Sequence, residues 1–253
     1  VVVKADGLAA GKGVIVARDR AEGLAAIESL QDQVGSAAEV VVLEELLNGE
    51  EVSVLLFVEG TDFVMMPPTR DHKRIGEGDT GPNTGGMGTI TDDGLLNTDQ
   101  IEEIRNQIIE PTLQGCIAEG FPFRGILFLG VMLTAEGPKL LEYNVRFGDP
   151  EAQSILVRLE TDIVEICDAI VSGRLVELDI DWRPGASATI VLASAGYPGS
   201  PKKGDPIVGL KDAALVDGVT IFHAGTQLER MGMAAATGYS EQPLPAAFVT
   251  AGG

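Results

Sequence analysis

Short apolar runs alternate with helical periods along this chain of 253 residues, and each run predicts an element. Val1 to Val3 read as a short buried strand and Val14 to Ala17 as a second. From Ala21 to Gln33 the positions Leu24, Ile27 and Leu30 recur every third residue, as on a helix face. Val40–Glu44 and Val52–Val58 are strands, and Glu59-Gly60-Thr61-Asp62 is a hairpin turn into Phe63–Met66. Pro67-Pro68 closes this first unit. Thr69–Gly88 has no periodicity and is predicted as a long functional loop. Thr98 as N-cap opens a helix with Ile101, Ile104 and Ile108 as its buried stripe, kinked or interrupted at Pro111. Gly125–Thr134 and Lys139–Val145 make a hairpin, and helices follow at Glu151–Leu159 and Asp162–Val171. Ala188–Ala195 and Val219–His223 are strands of a last small unit. The class is α/β (α+β), in three units over residues 1–67, 68–180 and 181–253, with no internal repeat.

The most informative alternation is KLLEYNVRFGDPE, Lys139 to Glu151. Glu142, Asn144 and Arg146 fall at every second place and share one strand face, while Leu141, Tyr143 and Val145 share the other. A carboxylate and an amide oxygen with a guanidinium behind them suit a hard cation bound to phosphate. An ordinary solvated edge strand has the same spacing. Gly148, Asp149 and Pro150 then turn the chain into the helix that begins near Glu151.

Three other stretches carry candidate chemistry. Gly7-Leu8-Ala9-Ala10-Gly11-Lys12-Gly13 has three residues between its first two glycines and a glycine after the lysine, so it is neither a Walker A loop nor G-x-G-x-x-G. It remains a glycine loop with Lys4 at its root and Lys12 at its tip, able to cradle phosphates, or else a tight turn. Glu44-Glu45-Leu46-Leu47-Asn48-Gly49-Glu50-Glu51 lies at a strand end, where Glu44 and Glu51 can accept from an amino group and from paired hydroxyls, as an adenosine offers. Acidic loop residues are otherwise simply solvated. Asp71-His72-Lys73-Arg74 gathers three potential cations beside one carboxylate and fits phosphate or carboxylate recognition, with a surface charge cluster as the plain alternative. Neither finger-type zinc spacing nor a Ser/His/Asp arrangement is found.

Formal charge is −20, from 38 acidic against 18 basic residues. That argues against nucleic acid and anionic membrane as partners, both of which want basic patches, but leaves room for a phosphate ligand held by local cations. Cys116 and Cys167 sit in apolar helical patterns and read as reduced core thiols of a cytoplasmic protein. No apolar run reaches the ~18 residues of a membrane span. The chain starts without Met, directly in a strand, and is taken as a piece of something longer.

In order along the chain, VVVKADGLAAGKGV, LEELLNGEEVSV, RDHKR, GPNTGGMG, RGILFLGVML and LLEYNVRFGDPEAQ resemble the ATP-grasp ligases, and within them the phosphoribosylamine–glycine ligase family. ASATIVLASAGYPGSPKKGD and IFHAGT extend the resemblance to about Gln227. The lysine–glycine loop and E-x-N-x-R are common to the superfamily, whereas DHKR, GPNTGGMG and N-x-R-F-G-D-P-E point to the family. The resemblance implies an ATP-grasp fold with a small mobile lid, a larger mixed-sheet core and a small C-terminal domain. It implies ATP phosphates under Lys4 and the loop Gly7, Gly11, Lys12 and Gly13, adenine beside Glu44, Glu45 and Leu47, and ribose on Glu51. Glu142 and Asn144 would bind Mg²⁺ or Mn²⁺, and Arg146 would reach the transferring phosphoryl group. Asp71, His72, Lys73, Asn83, Thr84, Gly85, Gly86, Met87 and Asp149, again with Arg146, would shape the pocket for glycine and 5-phosphoribosylamine. The implied product is glycinamide ribonucleotide, made through glycyl phosphate in purine biosynthesis by a monomeric parent.

Three departures accompany it. The strand Ile126–Leu133 carries no acid, so metal binding rests on Glu142 and Asn144. The family's N-terminal domain is expected to be missing, and the pattern is expected to stop near Leu228, leaving a poorly packed tail from Met231 and a bare edge at Val219–His223. Another purine-pathway ATP-grasp ligase, and a catalytically incomplete nucleotide-binding fragment, are the competing readings.

Overall fold

A computed structural model describes residues 1–9, 13–230 and 246–250, with the side chains of 229, 230 and 246–250 left aside. The chain forms two compact units: Val1–Glu50 with Met132–Lys139, and Glu51–Val131 with Leu140–Gly253.

The smaller unit is a three-stranded antiparallel sheet under one helix. Strands β1 (Val2–Ala5), β2 (Val14–Val16) and β3 (Val41–Glu44) are ordered β2-β1-β3, with α1 (Arg20–Val34) between the last two in sequence. Asp19 caps α1 by accepting from the Glu22 N–H at 2.9 Å, so an orphan amide of the first turn is satisfied. The buried face is Gly23, Ala26 and Leu30 with Ile27 and Val34, and Leu24 is exposed. The expected stripe is thus rotated, because small residues at 23 and 26 let the helix lie close to Val3 and its neighbours.

The larger unit is built on β4 (Glu50–Glu59), whose residues Val52–Val58 are all buried, as in a strand covered on both faces. After it come β5 (Asp62–Met65), β6 (Thr69–Asp71), β7 (Arg74–Gly76), β8 (Thr80–Asn83) and β9 (Gly88–Asp92). Next are α2 (Thr98–Ile104), α3 (Glu110–Ala118), β10 (Arg124–Thr134), β11 (Gly137–Asn144), α4 (Glu151–Leu156), α5 (Ile163–Ser172) and β12 (Ala186–Ile190). The short α6 (Leu210–Ala213) and the pair β13 (Thr226–Arg230) and β14 (Ala246–Thr250) complete the described elements. One sheet runs β11-β10-β4-β6-β9-β12, with β5 also on β4. Its core is Leu55, Phe57, Met66, Phe128, Ile155, Ile166, Ile170 and Leu175.

Several expectations change. Thr69–Gly88 is not one loop but holds β6 and the ribbon β7–β8; its strands are three or four residues long, too short for a period to show. Asn97, not Thr98, caps α2, in a capping box with Gln100. At Arg105–Ile109 the helix widens to a π turn before Pro111, whose missing N–H would break a regular ladder. β12 joins the main sheet opposite β9 and not a separate unit, and Val219–His223 is not a strand. The tail expectation is corrected where the structure describes it: β14 pairs antiparallel with β13, because the β-prone run Ala246-Ala247-Phe248-Val249-Thr250 lies beyond the prolines. Residues 231–245 lie outside the described ones. The unit edge falls at Glu50, whereas Pro67-Pro68 was the expected boundary, because β4 and β5 pair inside the larger sheet. Cys116 and Cys167 are free thiols, half-buried and exposed, not core residues, since α5 buries Ile166, Ala169 and Ile170 instead.

Phe57 is fully buried, edge-on to Phe147 at 6.4 Å and stacked with Trp182 at 6.5 Å. Phe57→Ala is expected to lower unfolding stability by about 3–5 kcal/mol, seen as a lower urea midpoint at unchanged slope.

Candidate active site

In the smaller unit the register of β1 against β3 brings Lys4 Nζ to Glu44 Oε2 at 2.6 Å. Gly7 serves close packing: its N–H donates to the Ala37 carbonyl at 2.9 Å, and a Cβ there would lie 2.7 Å from Ala37 Cα. Gly13 accepts from the Ala5 N–H at 2.7 Å, while Gly11 and Lys12 lie outside the described residues. Glu45 is exposed and Leu47 half-buried.

In the larger unit the DHKR residues diverge by alternation. Asp71 and Lys73 turn inward; His72 and Arg74 are exposed, with Arg74 Nη1 donating to the Gly81 carbonyl at 2.7 Å. Lys73 Nζ pairs with Glu51 Oε1 at the start of β4. Burial by itself draws the Lys73 pKa down, but Glu51, by charge and hydrogen bond, and then Asp71 and Glu142 outweigh it, so the net shift is upward. The Lys73 carbonyl accepts from the Thr84 N–H at 2.7 Å and its hydroxyl at 2.8 Å, and Met87 N–H donates to the His72 carbonyl at 2.7 Å. GPNTGGMG therefore folds back along DHKR. Gly86 is required there: at φ +123° its Cβ would meet Pro150 Cδ at 2.4 Å and Asp71 Oδ1 at 3.1 Å. Gly85 N–H donates to the Tyr197 hydroxyl at 2.9 Å, and Asn83 is exposed across from Arg74.

Glu151, first in α4, is 4% exposed and accepts from Ser53 Oγ at 3.3 Å. Gly148 makes room for it, since a Cβ would come within 2.2 Å of Glu151 Oε2. Burial raises the Glu151 pKa against the Ser53 hydrogen bond and the charges of Lys73 and Arg146. Burial first, then the Glu151 charge, push Asp71 from 3.8 to about 7 against the pull of Lys73. Asp71 Oδ1 is buried without a hydrogen-bond partner among the described residues.

Glu142 and Asn144 share a face of β11, as their alternation implies, with Asn144 Nδ2 donating to Glu142 Oε1 at 3.3 Å. Gly130 on β10 leaves space for Glu142, whose Cγ would be 3.2 Å from a Cβ there. The opposite face is not buried throughout: Val145 is 71% exposed, and the Tyr143 hydroxyl lies 2.7 Å from Thr112 Oγ1. Arg146 lies past the strand end, exposed, donating to the Phe147 carbonyl at 2.8 Å. Asp149 is exposed and accepts from Gln153 Nε2 at 2.7 Å. Sequence reading missed Ser53, Glu151 and Tyr197. Each stands inside a quoted motif, but only the contacts single it out.

Residues 1–152 match the family model for the ATP-grasp (A) domain of phosphoribosylglycinamide synthetase, and residues 187–253 match its C domain. The fold is therefore an ATP-grasp fold. The biotin carboxylase domain of Hydrogenobacter thermophilus 2-oxoglutarate carboxylase, solved with MgADP and bicarbonate, has the same fold at 16% identity and TM-score 0.59, over 98% of this chain and 52% of that one. The crystal structure of phosphoribosylamine–glycine ligase from Thermotoga maritima is 34% identical with TM-score 0.76, covering 100% of this chain and 59% of that one. A curated phosphoribosylamine–glycine ligase from Brucella melitensis biotype 1 is 45% identical over 94% of this chain and 56% of its own length. This chain belongs to the phosphoribosylamine–glycine ligase family, and it spans about half the length of the curated relatives it matches. The C-domain match runs past Leu228, which corrects the expected end of the pattern there.

Asp71 gives a pH prediction. Its carboxyl binds a proton more tightly folded than unfolded, so stability falls as pH rises from about 4 to about 7 and then levels off. Asp71→Asn removes that loss. Its melting temperature should exceed the parent's at pH 8 and converge with it at pH 4, and parallel melting curves across that range would assign Asp71 an unshifted carboxyl.

Proposed function

We propose that this chain carries the nucleotide, metal and acceptor residues of an enzyme that ligates glycine to 5-phosphoribosylamine in purine biosynthesis. The observation that supports it is that Lys73 lies within electrostatic reach of Asp71, Glu142 and Glu151, and Glu151 within reach of Arg146, which joins residues of DHKR and of E-x-N-x-R-F-G-D-P-E in one neighbourhood. The smaller unit, Val1–Glu50 with Met132–Lys139, would serve as the ATP lid. On this reading the protein works as a cytoplasmic monomer, and a net charge of −20 favours small-molecule partners over nucleic acid or membrane.

Glu142 and Asn144 fit a hard cation: a carboxylate and an amide oxygen share one face, and the Asn144 amide nitrogen already faces Glu142, which leaves its carbonyl oxygen for ligation. Mg²⁺, or Mn²⁺, would there neutralise phosphate oxygens of ATP. Lys4 would contribute charge toward those phosphates, Glu44 with Glu45 and Leu47 would receive the adenine, and Glu51 would accept from the ribose hydroxyls. In the first step a glycine carboxylate oxygen attacks the γ-phosphorus and ADP leaves. In the second, the amine nitrogen of phosphoribosylamine attacks the glycyl carbon, phosphate leaves and the nitrogen loses a proton. Arg146 would stabilise charge on the transferring phosphoryl oxygens, and Asp71, Lys73 and the GPNTGGMG segment would position the acceptors. Closure against water matters because an acyl phosphate hydrolyses.

ADP release dependent on both glycine and phosphoribosylamine, measured on a full-length parent, tests the reaction. Glu142→Ala should abolish Mg·ATP-dependent turnover with the fold retained; full turnover at ordinary Mg²⁺ would remove it as a ligand. Arg146→Lys should lose about 10²–10³ in kcat, since an ammonium lacks the planar fork. A change confined to the glycine KM would make Arg146 a substrate-binding residue.

A further inference from the structure

Lys73 touches more than the acceptor residues among which the family resemblance places it. Its ammonium is paired with Glu51 Oε1, and its backbone is fixed by the two hydrogen bonds from Thr84 to its carbonyl. Both side chains are 38% exposed, so each would otherwise sample several rotamers in water. An ammonium on a held backbone restricts the Glu51 carboxylate to one orientation and occupies one of its oxygens, leaving Oε2 to accept from a ligand hydroxyl. We propose that Lys73 is a positioning residue for nucleotide ribose recognition, acting through Glu51, and not only a contact for the anionic acceptors. The proposal rests on the reading of Glu51 as the ribose acid.

A lysine that only meets acceptor substrates would leave nucleotide affinity alone. A lysine that orients Glu51 would change it, and only for nucleotides that carry ribose hydroxyls. Equilibrium binding of Mg·ATP and of Mg·2′,3′-dideoxy-ATP to this chain, by calorimetry, separates the two. Lys73→Met should weaken ATP about tenfold, as expected for a lost charge-assisted hydrogen bond, and leave dideoxy-ATP nearly unchanged. Lys73→Arg should recover most of the affinity, and Glu51→Gln/Lys73→Met should bind no worse than Glu51→Gln. Melting temperatures establish that each variant is folded, and Lys73→Arg carries the test if Lys73→Met is not. Additive losses in the double variant, or equal weakening of both nucleotides by Lys73→Met, would overturn the proposal. If Glu51→Gln leaves the preference for ATP over dideoxy-ATP intact, the ribose reading itself fails. If Glu51→Gln abolishes that preference and Lys73→Met does not, only the role of Lys73 fails.

Discussion

The contact of Lys73 with Glu51 is the point on which the larger unit's charged cluster depends. Glu51 opens the buried central strand, Lys73 lies just past β6, and Thr84 hangs from the Lys73 carbonyl. Lys73 is the cation that Glu51, Asp71 and Glu142 act on, and its charge in turn acts on Glu151, so four carboxylates are set around one ammonium. Burial already raises Asp71 and Glu151, and each is drawn back by Lys73.

Holding acids this way demands space, and glycines supply it where it is tightest. Gly148 clears Glu151, Gly130 clears Glu142, and Gly86 clears both Pro150 and Asp71 Oδ1. A second, uncharged network keeps α4 in place below: Thr89 Oγ1 donates to Ser154 Oγ at 2.8 Å, and Ser187 bonds the Ser154 carbonyl. Arg158, at the end of that segment, is 3% exposed; its buried hydrogen bond to Thr91 joins β9 to the α4 region, and it also pairs with the exposed Asp93. Polar groups that are both buried and satisfied restrict the arrangement more sharply than apolar contacts alone.

Membership of the phosphoribosylamine–glycine ligase family and the geometry support each other at different scales. The match of residues 1–152 identifies the ATP-grasp domain, while the contacts sort its motif residues into those that meet and those that do not. Asp71 and Lys73 enter the cluster; His72, Arg74 and Asn83 face outward.

The motifs, their order and the long elements can all be read from the chain's own pattern of residues. β4, the β10–β11 hairpin, α1 and α5 were legible because their periods extend over many residues, and Glu142 with Asn144 because strand alternation alone puts them on one face. β6, β7 and β8 were not, since three or four residues cannot display a period, and nor was β14 behind its prolines. Folding, and no local pattern, pairs Lys73 with Glu51, 22 positions away, buries Glu151 against Ser53, 98 positions away, and brings Tyr197 to Gly85. A local pattern records which way a side chain leaves its own strand or helix. What it meets depends on which distant segment the fold brings opposite, and no local period encodes that.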